Sequence, residues 1–397
     1  MNDSWHIPLF DLNYDDAEAR AVQSVLDSKW LTMGPKVAAF EAAFQDRILQ
    51  EKMHCLAVTN CTCALELAIR LAVEKWRSNA AYDGLQPVVL VPDLTFAATA
   101  NAAISAGATV DFVDAESPVC PLMSVSDLSE KMSLYGARVA AVIPVHYAGF
   151  DALTSIADVI KDCNVSIIED AAHAVGGCYD NTTEPLGSRG DYSCFSFFSN
   201  KNLSTGEGGL IACKSEEDWS RAKLMRSHGM TSTTYDRHTG RMGEYDVVLH
   251  GHNYRFSEIA AALGLAQLDK LREGNDKRRQ AYALYVKTLH HQKEIHVCFA
   301  DCANEGQIAA TASAHILPMI CADTEQRLRI AAILAEKRIQ TSHHYRPLSS
   351  MSAWSDKPVS KNPNAAAFAA RELTLPLYPT MTSQNVMEVC ETILKAL

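Results

Sequence analysis

The sequence has little basic charge, no run of lysine and arginine, and no long apolar stretch. Its 397 residues include 36 Lys and Arg against 47 Asp and Glu, a formal net charge of −11, so it lacks the positive surface that nucleic acid requires. The longest apolar runs, such as residues 139–145, have the length of a strand rather than of a membrane span. The first ten residues do not resemble a signal peptide. We therefore expect a soluble, cytoplasmic protein that binds neither nucleic acid nor membrane.

Patterns typical of metal, disulfide and nicotinamide sites are missing too. The 12 cysteines contain no CxxC pair, so most are expected to be small buried hydrophobic residues. The 14 histidines show no HExxH spacing, and the sequence predicts no metal site. No GxGxxG turn follows a predicted strand, which argues against a nicotinamide cofactor.

What the sequence does contain is an alternation of helical and strand patterns. Short apolar runs alternate with helix-period segments up to about residue 211, which predicts a mostly parallel sheet covered on both faces. Residues 227–251 are polar and predict a long loop, either a lid or an interface element. A long helix through residue 287 follows, with Ser257 as its cap. The remainder, with a strand at 314–319 and helices at 324–337 and from 383, predicts a smaller α+β domain.

Five segments at the ends of predicted strands carry polar or aromatic side chains. Ligands of open parallel sheets bind at the carboxyl ends of the strands, so these segments are candidates for one site. They are residues 59–65 (TNCTCAL), 92–96 (PDLTF), 167–173 (IIEDAAH), 194–203 (CFSFFSNKNL) and 251–255 (GHNYR).

Three of the five segments have ordinary structural alternatives. The turn at 59–65 opens a helix whose free N–H groups and Thr62 hydroxyl can bind an anion, but an N-cap alone also explains it. Phe96 can stack on a planar ring or belong to the core. Asn253 and Arg255 can bind an anion, or be a cap and a surface residue.

The other two segments are more specific. Asp170 ends an apolar strand, where a carboxylate needs a cation or hydrogen-bond donors. A pyridinium nitrogen is one such partner. Metal binding is the alternative function, and capping of a helix is the structural alternative. Lys201 follows an aromatic strand and precedes a Gly-rich turn, where desolvation would lower the pKa of its amine as a Schiff-base lysine requires. Ser196 has a spacing that allows it to face the same pocket.

In this order, the segments resemble the DegT/DnrJ/EryC1/StrS sugar aminotransferases, which are fold-type-I enzymes that depend on pyridoxal 5′-phosphate (PLP). The resemblance covers nearly the whole chain. It also includes residues 30–35 (WLTMGP), 146–149 (HYAG), 253–268, 344–348 (HYRPL) and 373–379 (LTLPLYP). It implies an α/β fold in a homodimer with shared active sites. The implied parts are an N-terminal arm contributing to the site (1–35), a large PLP-binding domain (36–270) and a small α+β domain (271–397).

The resemblance also implies residue roles. Lys201 carries PLP as a Schiff base and moves a proton, Asp170 pairs with the pyridine nitrogen, Phe96 stacks on the ring, and His173 lies near the ring oxygen O3′. The implied phosphate ligands are Thr62, Cys63, Ser196 and, from the neighbouring subunit, Asn253. The candidates for substrate binding are Thr32, Gly34, Arg255, His344, Tyr345 and, as a further cation, Arg346.

The implied reaction moves an amino group from glutamate to a nucleotide-linked keto-sugar. The segment Asn253-Tyr254-Arg255-Phe256, together with His173, favours amination at C4 of a 4-keto-6-deoxy sugar. C3 amination, a cyclitol substrate and a PLP-binding regulator without turnover remain alternatives. Lys201 argues against a sugar deoxygenase, because those members have His in its place. Two departures from the family pattern stand out: Cys61 replaces a glycine in the phosphate turn, and the stretch around Asp236 is longer than usual.

Overall fold

The computed structural model describes residues 5–232, 235, 238–240, 244–300, 311–354 and 362–397. Within these ranges, seven strands form a large sheet in the order β1-β9-β8-β7-β6-β2-β3. Its members are β1 (His54–Val58), β2 (Val88–Pro92), β3 (Thr109–Val113), β6 (Val139–Val142), β7 (Ser166–Asp170), β8 (Tyr192–Ser196) and β9 (Gly209–Cys213). The pairs from β8 to β3 are parallel, whereas β9 is antiparallel to both β8 and β1. The predicted mostly parallel sheet is therefore confirmed.

Two smaller sheets complete the strands. A hairpin pairs β4 (Ala115–Ser117) with β5 (Cys120–Met123). An antiparallel sheet in the order β10-β11-β12 is built from Ile295–Val297, Leu317–Cys321 and Glu372–Leu375. Of these strands, the sequence predicted only the one at 314–319, which begins three residues later in the structure. The others are short, and short strands are stabilised by pairing more than by their own pattern.

The helices cover both faces of the large sheet and one face of the small one. They are Asp16–Ser28, Pro35–Arg47, Cys61–Arg77, Ala97–Ser105, Val125–Tyr135, Ala157–Ile160, Glu216–Arg226, Glu258–Leu289, Thr324–Glu336, Pro363–Arg371 and Ser383–Ala396. Ser257 caps the long helix Glu258–Leu289 by accepting a hydrogen bond from the Ala260 N–H, as predicted. None of the described helices is both long and apolar enough to cross a membrane.

The core follows from the two-residue period of the strands. In β2, Val89 and Val91 face one apolar cluster, and Val88 and Leu90 face the cluster on the opposite side of the sheet. Because both faces are buried, this strand is apolar throughout. A third cluster joins the small sheet to the long helix. That helix crosses residue 270 without a break, and the domain boundaries at 35/36 and 270/271 remain predictions.

The long polar segment is described in part. Its ends pair with each other, at Ser227 with Asn253 and at Met230 with Val247. Tyr235 and His238 pack against Trp30, with ring centroids 5.4 and 4.7 Å away. Asp236 and its neighbour at 237 lie outside the described residues, so the role of this stretch as lid or interface remains a prediction.

Candidate active site

A cavity of ≈ 410 Å³ opens at the carboxyl ends of the parallel strands. The segments that follow β1, β2, β7 and β8 meet there, as expected for an open parallel sheet. The residues that line it are Asn60, Cys61, Thr62, Leu65, Thr95, Phe96, Ala98, Thr99, Val145, Asp170, Ala172, His173, Ser196, Phe198, Asn200, Lys201, Glu207, Gly208, His344 and Tyr345. Eight of the predicted site residues are among them.

Lys201 follows β8 and places its amine inside this cavity. Burial lowers the pKa of the amine to about 8, although the acidic groups of Cys61 and Asp170 oppose the shift. The Nζ atom lies 3.4 Å from Nε2 of His315. An amine with this pKa has a substantial neutral fraction near physiological pH, which makes it nucleophilic.

Asp170 ends β7 on the cavity side of the sheet. Its carboxylate accepts a hydrogen bond of 2.9 Å from the Thr99 hydroxyl and one of 3.2 Å from the Ala172 N–H. Burial raises the pKa of this carboxyl, and the two hydrogen bonds and the Lys201 amine only partly oppose it. The carboxylate therefore gains from a further cationic partner in the cavity.

Glu169 precedes Asp170 and points to the opposite face of the strand. It is fully buried and accepts hydrogen bonds from His146 Nε2 (2.8 Å), the Tyr179 hydroxyl (2.5 Å) and the Gly190 N–H (2.7 Å). Burial raises the pKa of the Glu169 carboxyl, but these donors outweigh burial and leave it below its usual value. Glu169 thus fixes the strand end that presents Asp170.

His173 is held as a neutral ring. The Ala148 N–H donates to Nδ1 at 3.2 Å, so the proton is on Nε2, which lies 3.1 Å from the Tyr345 hydroxyl. Burial lowers the pKa of His173 well below its usual range, and the positive charge of Lys201 adds to the shift. His344 lines the same cavity, and burial lowers its pKa to about 3.

The turn after β1 presents the start of helix Cys61–Arg77 to the cavity. The Asn60 side chain caps the helix by accepting from the Cys63 N–H at 3.0 Å. Cys61 has no positive φ, so the replacement of the usual glycine leaves an ordinary helix start. The positive end of this helix and the Thr62 hydroxyl suit an anion.

Gly209 permits this turn to lie against β9. A Cβ atom at this position would be 2.3 Å from the Asn60 carbonyl carbon and 2.5 Å from the Cys61 nitrogen. Both contacts are with backbone, which cannot move aside as a side chain can. Packing against the turn therefore requires a glycine at this position, which the sequence pattern alone did not reveal.

Two exposed phenylalanine rings border the cavity. Phe96 is 64% exposed and Phe198 is 45% exposed, so neither belongs to the core, and aromatic rings of this kind can stack on a planar ligand. Ser196 is buried at the end of β8 and accepts a hydrogen bond from the Phe198 N–H at 3.3 Å.

Several predicted site residues do not line this cavity. Cys63 is half-buried and next in sequence to the lining residue Thr62. Thr32 and Asn253 are exposed, and Arg255 pairs through its backbone with Val58. The Gly34 N–H donates to Glu258 at 2.9 Å. Arg346 is exposed and donates to Ser350. Among the lining residues, Lys201 is the only lysine or arginine.

Sequence reasoning missed Thr95, Thr99, Asn200 and His315. Thr95 lies just before the helix Ala97–Ser105 and Thr99 lies in its first turn, with their hydroxyl oxygens 2.9 Å apart. Two threonines so close behind a strand end are a usable signal. His315 is separated from Lys201 by 114 residues, and no local pattern connects the two. Among the described residues, no group of three or more His, Cys, Asp or Glu is arranged to hold a metal.

Comparisons with known proteins agree with this geometry. A sequence model described as the DegT/DnrJ/EryC1/StrS aminotransferase family matches residues 13–394. The chain is 30% identical over 390 residues to GDP-perosamine synthase of Escherichia coli O157:H7, covering 98% of each sequence.

Solved structures show the same fold. PseC of Helicobacter pylori, an aminotransferase involved in the biosynthesis of pseudoaminic acid, superimposes with a TM-score of 0.85 at 25% identity over 99% of each chain. The PLP form of Spr1654 from Streptococcus pneumoniae, a putative sugar aminotransferase, gives a TM-score of 0.82 at 26% identity over 100% of each chain. The expected fold class is confirmed.

Proposed function

The chain belongs to the DegT/DnrJ/EryC1/StrS aminotransferase family, and we propose that it uses PLP to move an amino group from glutamate to a nucleotide-linked keto-sugar. The observation that carries the proposal is the meeting of Lys201, Asp170 and the start of helix Cys61–Arg77 in one cavity. These three features match the aldehyde, the pyridine nitrogen and the phosphate of PLP.

The residues present fit this cofactor. The buried carboxylate of Asp170 accepts donors from Thr99 and Ala172 but gains from a cation, which a protonated pyridine nitrogen provides. The helix start and Thr62 suit a phosphate. The amine of Lys201 is desolvated, and the Phe96 ring is free to stack on a flat heterocycle.

When bound, PLP supplies an aldehyde that combines with amines and a ring that withdraws electrons. The protein's own residues then have separate tasks. Lys201 holds the cofactor through Nζ and, when released, accepts and returns a proton at that atom. Asp170 keeps the proton on the pyridine nitrogen, and neutral His173 offers its Nε2 proton without adding a charge.

The substrates require more positive charge than the described residues of this cavity provide. Glutamate and a nucleotide diphosphate are both anionic, yet Lys201 is the only lysine or arginine among the lining residues. We therefore assign the missing charge to a second copy of the chain, in a homodimer with shared sites. Arg255 is the proposed source of this charge. The exposed Asn253 nearby, a neutral amide, is proposed to hydrogen-bond to the phosphate of PLP, and the N-terminal arm, residues 1–35, is proposed as a further contributor to the shared site.

The site of amination is proposed as C4 of a 4-keto-6-deoxy sugar, from the family pattern at residues 253–256 and His173. The physical reason for this choice, that Tyr254 forms part of the wall of the sugar pocket, is not supported within one chain. Tyr254 does not line the cavity of its own chain, and its hydroxyl donates to Glu66 at 2.9 Å. C3 amination and a cyclitol substrate thus remain the alternatives. Because the E. coli relative is named GDP-perosamine synthase, GDP-linked sugars are candidate substrates in addition to UDP- and dTDP-linked ones.

The test is an assay of the purified protein with glutamate and a panel of 3-keto and 4-keto sugars linked to GDP, UDP or dTDP, with an inositol-derived ketone as a further substrate. NMR of the product then locates the new nitrogen. Nitrogen at C4 supports the proposal, and nitrogen at C3 contradicts the regiochemistry alone. Binding of PLP without turnover of any substrate in the panel would favour a regulatory protein.

A further inference from the structure

A chain of buried hydrogen bonds leads from the backbone to the Lys201 amine. Asn275 is 2% exposed, and its Nδ2 donates to the Val175 carbonyl oxygen at 3.0 Å. Its Oδ1 accepts from Asn202 Nδ2 at 2.8 Å, and the same Nδ2 also donates to the Ser313 carbonyl oxygen at 2.8 Å. Because carbonyl oxygens only accept, the orientations of both amide groups are fixed.

The fixed amides determine which nitrogen of His315 carries the proton. Asn202 Oδ1 lies 2.9 Å from His315 Nδ1, and because Oδ1 can only accept, Nδ1 must carry the hydrogen. Burial lowers the pKa of His315 well below its usual range, and the positive charge of Lys201 adds to this effect. The ring is therefore neutral, and its Nε2 lone pair points to Lys201 Nζ at 3.4 Å.

The His315 ring itself is firmly placed. It is 4% exposed, and its carbonyl oxygen accepts from Nη1 of Arg278 at 3.1 Å, while the same Nη1 donates to the Leu377 carbonyl oxygen at 2.8 Å. The ring centroid lies 4.3 Å from that of His173. A side chain held in this way can fix the direction of the amine it contacts.

We propose that His315 is a positioning residue that accepts one hydrogen of the free Lys201 amine and so aims this amine into the cavity. Asn202 and Asn275 set its tautomer. The inference rests on the proposed function, in which this amine binds PLP. Each time the amine is released from the cofactor it would return to the same position, because one of its N–H bonds has a fixed acceptor.

His315 also affects the charge of the Lys201 amine. A neutral acceptor stabilises the ammonium form, so it limits the fall of the Lys201 pKa that burial causes. The other titratable groups that face this site are Cys61, Asp170, His173, Glu207, Arg278, His344 and Tyr345. All seven are unchanged in the variants below, so a shift reports on His315.

The experiment uses the full-length protein after removal of PLP. Readdition of PLP is followed by visible absorbance at a series of pH values, which gives the rate of cofactor capture at high pH and the pH of half-maximal rate. For His315→Phe we expect the midpoint to fall by about one pH unit and the high-pH rate to fall about tenfold. His315→Gln, whose amide has an acceptor and a donor, should restore both toward the wild type. His290→Phe, an exposed histidine at the end of the long helix, is the matched control.

A midpoint that does not move in folded His315→Phe would overturn the inference. If thermal melting shows that this variant does not fold, Asn202→Leu decides, because it keeps the His315 ring and removes the carbonyl oxygen that sets its tautomer, together with the bonds to Asn275 and Ser313. It should lower the midpoint in the same direction, and an unchanged midpoint there would likewise overturn the inference. If instead the proposed function is wrong, borohydride will not fix the cofactor to Lys201 in the wild-type protein.

Discussion

Thr99 donates its hydroxyl hydrogen to the Asp170 carboxylate over 2.9 Å. Thr95 lies 2.9 Å from Thr99, and because the Thr99 hydrogen is already used, Thr95 must be the donor in that pair. Two hydroxyl groups at the start of helix Ala97–Ser105 are thus aligned toward one buried acid. They oppose the rise in its pKa that burial causes and favour the charged form.

Replacing Thr99 by Val should therefore raise the pKa of Asp170 further. A hydrogen bond to a charged group contributes about 1.5–3 kcal/mol, so kcat should fall about tenfold or more, and the acidic limb of its pH profile should move to higher pH. Asp170→Asn should give the largest loss of kcat: the variant should retain the fold and some PLP but lose most turnover. Thr392→Val, in which a hydroxyl bonded only to a helix carbonyl is lost, should leave the profile unchanged.

Replacing Lys201 by Ala should abolish the covalent attachment of PLP. The visible band of the purified protein should disappear, and turnover should fall by about a thousandfold or more, because the proton-transfer group is lost as well. Borohydride treatment of the wild-type protein should place the cofactor on the peptide that contains Lys201. Lys214→Ala, a surface change, is the control, and normal turnover in Lys201→Ala would contradict the assignment.

Replacing Gly209 by Ala should displace the turn at Asn60. The added methyl group has no room, since its nearest neighbours at 2.3 and 2.5 Å are backbone atoms, and such overpacking costs about 1–3 kcal/mol. We expect weaker PLP binding in an absorbance titration. Gly274→Ala, inside the long helix, provides the comparison. The nearest neighbours of a Cβ atom there, in Asn13 and Pro379, are 3.7 Å away, so this substitution should stabilise the protein by about 0.5–1 kcal/mol. Equal PLP affinities in the two variants would show that the turn is not held by this contact.

Replacing Glu169 by Gln should destabilise the protein most at neutral pH. The pKa of the folded carboxyl lies below its usual value, so its stabilising effect is present above an ordinary pKa of about 4.3 and is lost as the pH falls through the folded pKa. The loss at neutral pH should be about 3 kcal/mol, because a buried charged partner is removed. Thermal midpoints at several pH values should converge toward those of the wild type in acid. The exposed Glu273→Gln should show no such dependence, and parallel curves for Glu169→Gln would argue against an ionised Glu169.

Lys201 and Asp170 could be predicted as residues of one site, because one follows and the other ends an apolar strand and because their segments match the family pattern. The direction of the Tyr254 side chain was not predicted, since its hydroxyl partner Glu66 lies on helix Cys61–Arg77, 188 residues away in the chain. His315 was missed for a similar reason. Its place depends on how the small sheet packs against the long helix, and no spacing in the sequence encodes that distance.

The antiparallel pairing of β1 with β9 has a consequence for how the protein is made. His54 pairs with Cys213. The strand β1 therefore has no partner along this edge until β9, near the middle of the chain, has been synthesised. At roughly 5–20 residues per second, this delay is on the order of ten seconds. During that time an apolar strand edge is exposed on the nascent chain, and truncated chains that end before residue 209 should therefore require chaperones to stay in solution.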